Sequence, residues 1–327
     1  MPSSFKNVDY RLLIASAYSG FAVWHAGISG SIPLTVGYVT ETVTKQTNGV
    51  LTASVPTSET VFSIWNLVAC LLILIILPIV NAKMHPSAKD TFVVDPKILE
   101  DEVPVIKKPE TPAEKLENSV ILSACVILLG TAYIVYEIVN GTFTLSLNSV
   151  NLIFLILGIA FHKTPISYVR AIMDSAKSAG GIILQFPFYA GIQGLMVGMN
   201  PVTGASFAGV ISEAFVSISN ATTFPLLSFL SAGIVNFFVP SGGGQWAVQA
   251  PIMLPAAESL GVSHGLAAMS IAWGDAWTNL LQPFWALPAL GLAKLGARDI
   301  IGYCVIGLVV VGVIVSGCLL VAGVLGM

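Results

Sequence analysis

Apolar residues run through this chain in blocks about as long as a bilayer is thick, separated by short polar punctuation. Ser63–Val80 and Ile300–Leu325 are each apolar over roughly the 20 residues a helix needs to cross hydrocarbon. The same pattern predicts apolar segments at Tyr10–Val39 with an interruption, Val61–Val80, Asn118–Val139 and a short Val150–Phe161. It continues with Gly180–Met199, a pair at Phe224–Val239 and Gln245–Leu260, an interrupted Gly265–Leu292, and Ile300–Leu325. Thr164–Ser178 and Phe207–Ser219 are amphipathic, so they are expected to lie along the interface or to brace the bundle. The predicted fold class is an all-α polytopic membrane protein.

Composition agrees with the pattern. Hydrophobic residues make up 55% of the 327 and charged ones 9%, against about 25% charged in an ordinary soluble domain. The net charge of −3 points to no nucleic acid. Cys70, Cys125, Cys304 and Cys318 all lie in apolar stretches with no CxxC pair, which argues against a zinc site or a disulfide framework. The first nine residues lack the layout of a cleaved signal peptide, so insertion is expected to use the apolar segments themselves.

Charge is concentrated. Residues 82–117 hold 14 of the 31 Asp, Glu, Lys and Arg side chains and five prolines, and read as a solvated linker. Lys and Arg accumulate on the cytoplasmic side. Lys6 with Arg11, this linker, the Lys163/Arg170/Lys177 group and Lys294 with Arg298 are therefore expected inside, and the Asn200–Thr222 connection, which has neither residue type, outside. The turn Val239-Pro240-Ser241-Gly242-Gly243-Gly244-Gln245 carries no charge. That suits the buried tip of a re-entrant hairpin at mid-membrane depth better than an exposed loop.

Two stretches echo each other across 254 positions, Val8–Gly20 and Val262–Gly274. Each is an apolar helix that soon meets a break, at His25–Pro33 in the first and at Asn279–Pro288 in the second. The charge pattern starts the first inside and the second outside. Opposite orientation with a break at the matching point is the plan of an inverted-repeat secondary transporter. The expected organisation is 1–81 as the remainder of a first repeat, 82–117 as a cytoplasmic linker, and 118–327 as a second repeat with hairpin 222–261 and broken helix 265–292.

A helix broken in hydrocarbon exposes N–H and C=O groups that cost on the order of several kcal/mol each when unsatisfied. Half-helix N-termini suit a carboxylate, and half-helix C-termini suit Na+. Ser29, Gly30 and Ser31 at the first break and Ser241, Gly242, Gly243 and Gly244 at the hairpin tip are the substrate or ion candidates, the alternative being glycines that only let helices pack. The amides of Gln245, Asn279 and Gln282 either bind a substrate oxygen or satisfy freed backbone. Asp275, a carboxylate inside an apolar segment, is the coupling candidate, or else an internally bonded structural acid. His25 beside the first break reads as a polar packing residue ahead of a proton relay. No phosphate loop is present, so transport is expected to run on a gradient, with no cofactor and with Na+ or H+ as coupling ion.

Three motifs then carry a resemblance: Gln185-Phe186-Pro187-Phe188-Tyr189-Ala190-Gly191-Ile192-Gln193; Val239–Trp246 with Gln249-Ala250-Pro251; and Gln282–Leu290 followed by Arg298–Cys304. In this order they resemble the bacterial short-chain fatty acid transporter family, carriers associated with acetoacetate and butyrate. The resemblance implies a small monocarboxylate as substrate, a multi-pass inner-membrane location among lipid, and a fold in which hairpin tips and broken helices form the site. A homodimer is compatible with related architectures. By the length of a complete repeat, family members are expected to carry roughly a hundred-odd residues before the position matching Val8, so the first repeat looks incomplete. Two other readings compete. One is a truncated, non-transporting remnant. The other is a rhomboid-like intramembrane serine protease using Ser29 of Gly27-Ile28-Ser29-Gly30, whose candidate base, His162 or His264, sits at a segment end.

Overall fold

The computed structural model describes residues 8–94, 109–282 and 284–327; residues 95–108 of the charged stretch, Pro283 and Lys6 lie outside the described residues. All regular structure among the described residues is helical. In chain order the helices are α1 (Tyr10–Ser19), a 3-10 turn (Gly20–Ala26), α2 (Ser31–Gly37), α3 (Glu41–Gln46), α4 (Ile64–Lys83), α5 (Pro112–Glu117), α6 (Val120–Val139), α7 (Leu147–His162) and α8 (Pro165–Val197). Then follow α9 (Phe207–Ser217), α10 (Phe224–Asn236), α11 (Gly242–Leu260), α12 (His264–Thr278), a 3-10 turn (Phe284–Ala286), α13 (Leu287–Ala293) and α14 (Ala297–Leu325). Tyr10–Gly37 taken as one broken span, α4, α6 and α14 are long and apolar enough to cross a membrane; α7 with the start of α8 makes a fifth if that bent pair is one span. This is the helix content of a polytopic membrane protein.

The chain forms two compact units, 1–94 with 181–327, and 95–180. In the smaller unit α6 packs on α7 where Gly130 admits Ile156, since a Cβ at Gly130 would stand 2.7 Å from Ile156 Cδ1. Lys163 at φ 66° then turns the chain sharply, and α8 leaves at 116° to α7. One expectation needs correction here. Thr164–Ser178 and Gly180–Met199 are one helix of 33 residues, α8. The stretch between them, Ser178-Ala179-Gly180-Gly181, contains no proline, and two glycines alone weaken a helix by only about 1 kcal/mol each.

In the larger unit α12 is the axis. Gly265 through Ala276 are buried without exception, which is why the segment is apolar all round instead of on one stripe. Small residues let its neighbours come close. A Cβ on Gly274 would run into the Phe229 carbonyl oxygen of α10 and lie 2.9 Å from the Gly233 nitrogen, and one on Gly312 of α14 would lie 2.9 Å from the Trp277 indole. Local caps set the ends: Asp9 accepts from Leu12 N–H at the start of α1, Ser263 does the same for α12, and Gly261 at φ 71° closes α11.

Three long-range contacts fix the relation of the two broken helices. Tyr10 Oη donates to Ala293 O, Tyr18 Oη to Asn279 O, and His25 bonds Asp275. Rising numbers on one strand of contacts meet falling numbers on the other, so the broken helices run antiparallel and meet at their breaks. The α10–α11 pair folds back likewise, with Gln245 Nε2 donating to Ala232 O and Gln249 Nε2 to Ser231 Oγ. The α9 helix packs on both arms of that hairpin, the bracing role open to Phe207–Ser219.

The start of the charged stretch is not loose. Phe92 N–H donates to Asp9 Oδ2, Asp9 N–H to His85 Nε2, and Arg11 bonds Asp9 while its guanidinium lies over the Phe92 ring. Burial pushes the Asp9 carboxyl up, but the Arg11 hydrogen bond, the Phe92 and Leu12 amides and the Arg11 charge together hold it below the ordinary carboxylate value.

Candidate functional site

The broken helices and the hairpin tip converge. His25, the second-last residue of the first 3-10 turn, is fully buried and its Nδ1 lies 2.7 Å from Asp275 Oδ2. Its Nε2 accepts the Ile32 N–H at 3.0 Å, with Ser31 Oγ 3.2 Å away. An imidazole nitrogen that accepts an amide N–H has a free lone pair, so the proton sits on Nδ1 and is donated to Asp275. The Trp24 ring covers this imidazole at 4.2 Å between centroids.

The tip closes on the same place. A Cβ on Gly242 would overlap Ser31 Oγ and lie 3.0 Å from His25 Nε2, so only glycine fits between hairpin and break. On its other side the tip meets the second break, where Trp285 Nε1 donates to Pro240 O at 2.9 Å. Aromatic rings bridge the two breaks, Phe21 and Trp24 packing against Trp285 at 5.9 and 6.4 Å between centroids.

The expected site residues divide under this geometry. Gly30 is the buried N-cap of α2, where a Cβ would collide with the His25 carbonyl oxygen. Ser31 touches His25. Ser29 is exposed and makes no side-chain hydrogen bond among the described residues, so the structure does not bring it to the cluster. Ser241 caps α11, accepting the Gly244 N–H. Gly243 faces open space, whereas Gly244 backs onto the Gln193 amide of α8. Gln245 is buried and braces the hairpin through Ala232 O and Gln249 Oε1. Asn279 accepts from Asn236 Nδ2, and Gln282 Oε1 accepts from Phe284 N–H. Among the described residues four of these side chains keep one buried polar atom without a hydrogen-bond partner: Asp275 Oδ1, Gln245 Oε1, Asn279 Nδ2 and Gln282 Nε2. Each such atom costs about 1–3 kcal/mol in a dry interior, a cost that a polar guest offsets.

Other members of the site were not legible as such. Asn66 donates to Ala26 O and Val61 O and accepts from Trp273 Nε1, tying α4 to both broken helices. Asn236 and Thr278 bond each other between α10 and α12. A polar side chain inside an apolar run, as in Trp65-Asn66-Leu67, was the available signal.

Ser31, His25 and Asp275 stand in the order of a hydrolytic triad. A hydrolase needs the Nε2 lone pair free to take the serine proton; here the Ile32 N–H at 3.0 Å competes for it with Ser31 Oγ at 3.2 Å. Among the described residues no hydrogen bond joins Ser29 to a histidine, so the protease reading is not favoured.

Comparison with known proteins decides the family. The family described as short chain fatty acid transporter matches residues 2–322. The chain belongs to that family. Among short-chain fatty acid transporter relatives, a protein of Escherichia coli (strain K12) named "putative short-chain fatty acid transporter" is 42% identical over 299 residues, covering 90% of this chain and 66% of its own length. A protein of the same name from Haemophilus influenzae (strain ATCC 51907 / DSM 11121 / KW20 / Rd) is 42% identical over 306 residues, 91% of this chain and 67% of its own length. The chain thus spans about two-thirds of the length of these curated relatives. No solved structure matches it. Family and apolar helices together make it a multi-pass membrane protein.

Proposed function

We propose that this chain belongs to a secondary carrier that moves short-chain fatty acid anions, monocarboxylates of the butyrate and acetoacetate kind, across the bacterial inner membrane on an H+ or Na+ gradient. The observation that carries this reading is the meeting of Gly242 at the hairpin tip, Ser31 at the first break and, through His25, Asp275 beside the second. Unwound backbone from two antiparallel broken helices and a folded-back pair would face one buried point, as an inverted-repeat carrier with a re-entrant hairpin requires. In this reading 1–81 and 118–327 contribute the two repeats and 82–117 is the cytoplasmic linker. The donors Asn279 Nδ2 and Gln282 Nε2 would take the carboxylate, and the cluster of Ser31, Gly242 and Gly244 would let backbone approach it. Asp275 would answer to the coupling ion.

The test is exchange of labelled butyrate or acetoacetate in proteoliposomes, with protein-free liposomes subtracted because the protonated acid diffuses unaided. Saturable, protein-dependent exchange is expected. Its absence under both H+ and Na+ conditions would sink the proposal.

A further inference from the structure

The His25–Asp275 pair does more than support the break. His25 Nε2 is committed to the Ile32 N–H, and Ser31 Oγ shares it. Asp275 Oδ2 is committed to Nδ1–H, while Oδ1 has no partner among the described residues. Both side chains are buried, at 0% and 1% exposure. The groups packed around them are the Trp24 ring, Ser31 and Ile32 from the break, and Gly242 from the tip. None is titratable, and among the described residues Asp275 pairs with no cationic side chain besides His25, so no second charge balances an ionised Asp275. A neutral imidazole beside an ionised carboxylate leaves one negative charge in a dry interior, which one proton removes. Hard cations collect several oxygen ligands, and here the imidazole already holds one of the two carboxylate oxygens.

Resting on the carrier reading above, we propose that His25 and Asp275 together form the ion-selecting site, and that one proton taken up by this pair, not Na+, accompanies each monocarboxylate. The proton comes from the water phase. At His25 the one nitrogen open to it is Nε2, so uptake there breaks the Ile32 N–H bond and turns the Ser31 hydroxyl from donor to acceptor. Charge state and the shape of the break are thereby one variable. The carried pair of proton and anion is electroneutral.

Labelled-acetoacetate exchange is measured with equal pH on both sides, over a pH series, in Na+-free and Na+-containing buffer. Exchange without Na+ is expected, falling about tenfold per pH unit on the alkaline side as a single proton is lost. Asp275→Asn keeps the acceptor for Nδ1–H but cannot ionise, so the alkaline fall is expected to disappear; His25→Gln leaves the Asp275 carboxylate to take the proton without the imidazole, so the fall is expected to move along the pH axis. A Na+ requirement with a flat pH profile would overturn the proposal and leave the carrier reading standing. A His25→Gln variant with the unaltered pH profile would overturn it too, and no exchange under any condition would overturn both. Should either variant fail to fold, nitrogen NMR of the unaltered protein in bilayers reads the His25 tautomer directly: Nδ1–H is expected, and Nε2–H would refute the geometry.

Discussion

At the scale of single residues, sterics and buried polarity set the demands. Gly242 lies where even a methyl group meets Ser31 and the His25 ring. Gly242→Ala is therefore expected to separate tip from break and cut transport at least tenfold, while Gly243→Ala, with open space around it, should cost under twofold. The ratio of the two rates checks this; equal rates would mean that the tip is not packed as described. Asn66→Ala leaves the Trp273 indole N–H and the Ala26 and Val61 carbonyls without their partner. It should destabilise the fold by about 1–3 kcal/mol, read as a lower thermal midpoint in detergent. An unchanged midpoint would show that other groups take over these bonds.

At the scale of elements, the contact between α10 and α12 depends on backbones touching at Gly274. Gly274→Val should force the helices apart and drop the yield of folded, monodisperse protein severalfold; normal yield with normal exchange would contradict the packing. The fastening of residues 85–92 to the start of α1 behaves differently because it is electrostatic. The Asp9 carboxyl is held below its ordinary value in the folded chain. Its contribution is thus fully present above the unfolded carboxylate pKa of about 3.9 and is lost as pH falls through the lower folded value. Amide exchange at Phe92 and Leu12, whose N–H groups Asp9 accepts, should stay slow at pH 5 and become fast only below about pH 4. Asp9→Asn should make it fast at both. Loss already near neutral pH in the unaltered chain would show that the Asp9 carboxylate does not hold the fastening.

At the scale of the whole molecule, the distribution of Lys and Arg makes a topological prediction. Asp90→Cys, in the exposed start of the charged stretch, and Val202→Cys, in the exposed loop before α9, are expected to react with a membrane-impermeant thiol reagent from opposite faces, the first from the cytoplasm. Reaction of both from one face would reverse or remove a crossing in between. Element positions were largely legible from pattern. Val61–Val80 is α4 at Ile64–Lys83, and Asn118–Val139 is α6 at Val120–Val139. The breaks were legible too, because glycine, serine and proline mark them by local backbone preference. The merged helix α8 was missed, since a short Ser-Ala-Gly-Gly stretch signals a break locally while i to i−4 bonding carries a helix through it.

By itself the sequence determined that this is a bundle of apolar helices with interruptions, because length, hydropathy and helix-breaking residues act over a few neighbours. What the tertiary structure decided is which interruptions meet. His25 and Asp275 are 250 positions apart, and Gly242 reaches His25 and Ser31 through folding of the hairpin. Ser29, two residues from Ser31, ends outside the cluster because it lies in the turn before α2, on the exposed side of the break. Partnership among buried polar groups is a property of packing, and packing is a sum over contacts that no local pattern records.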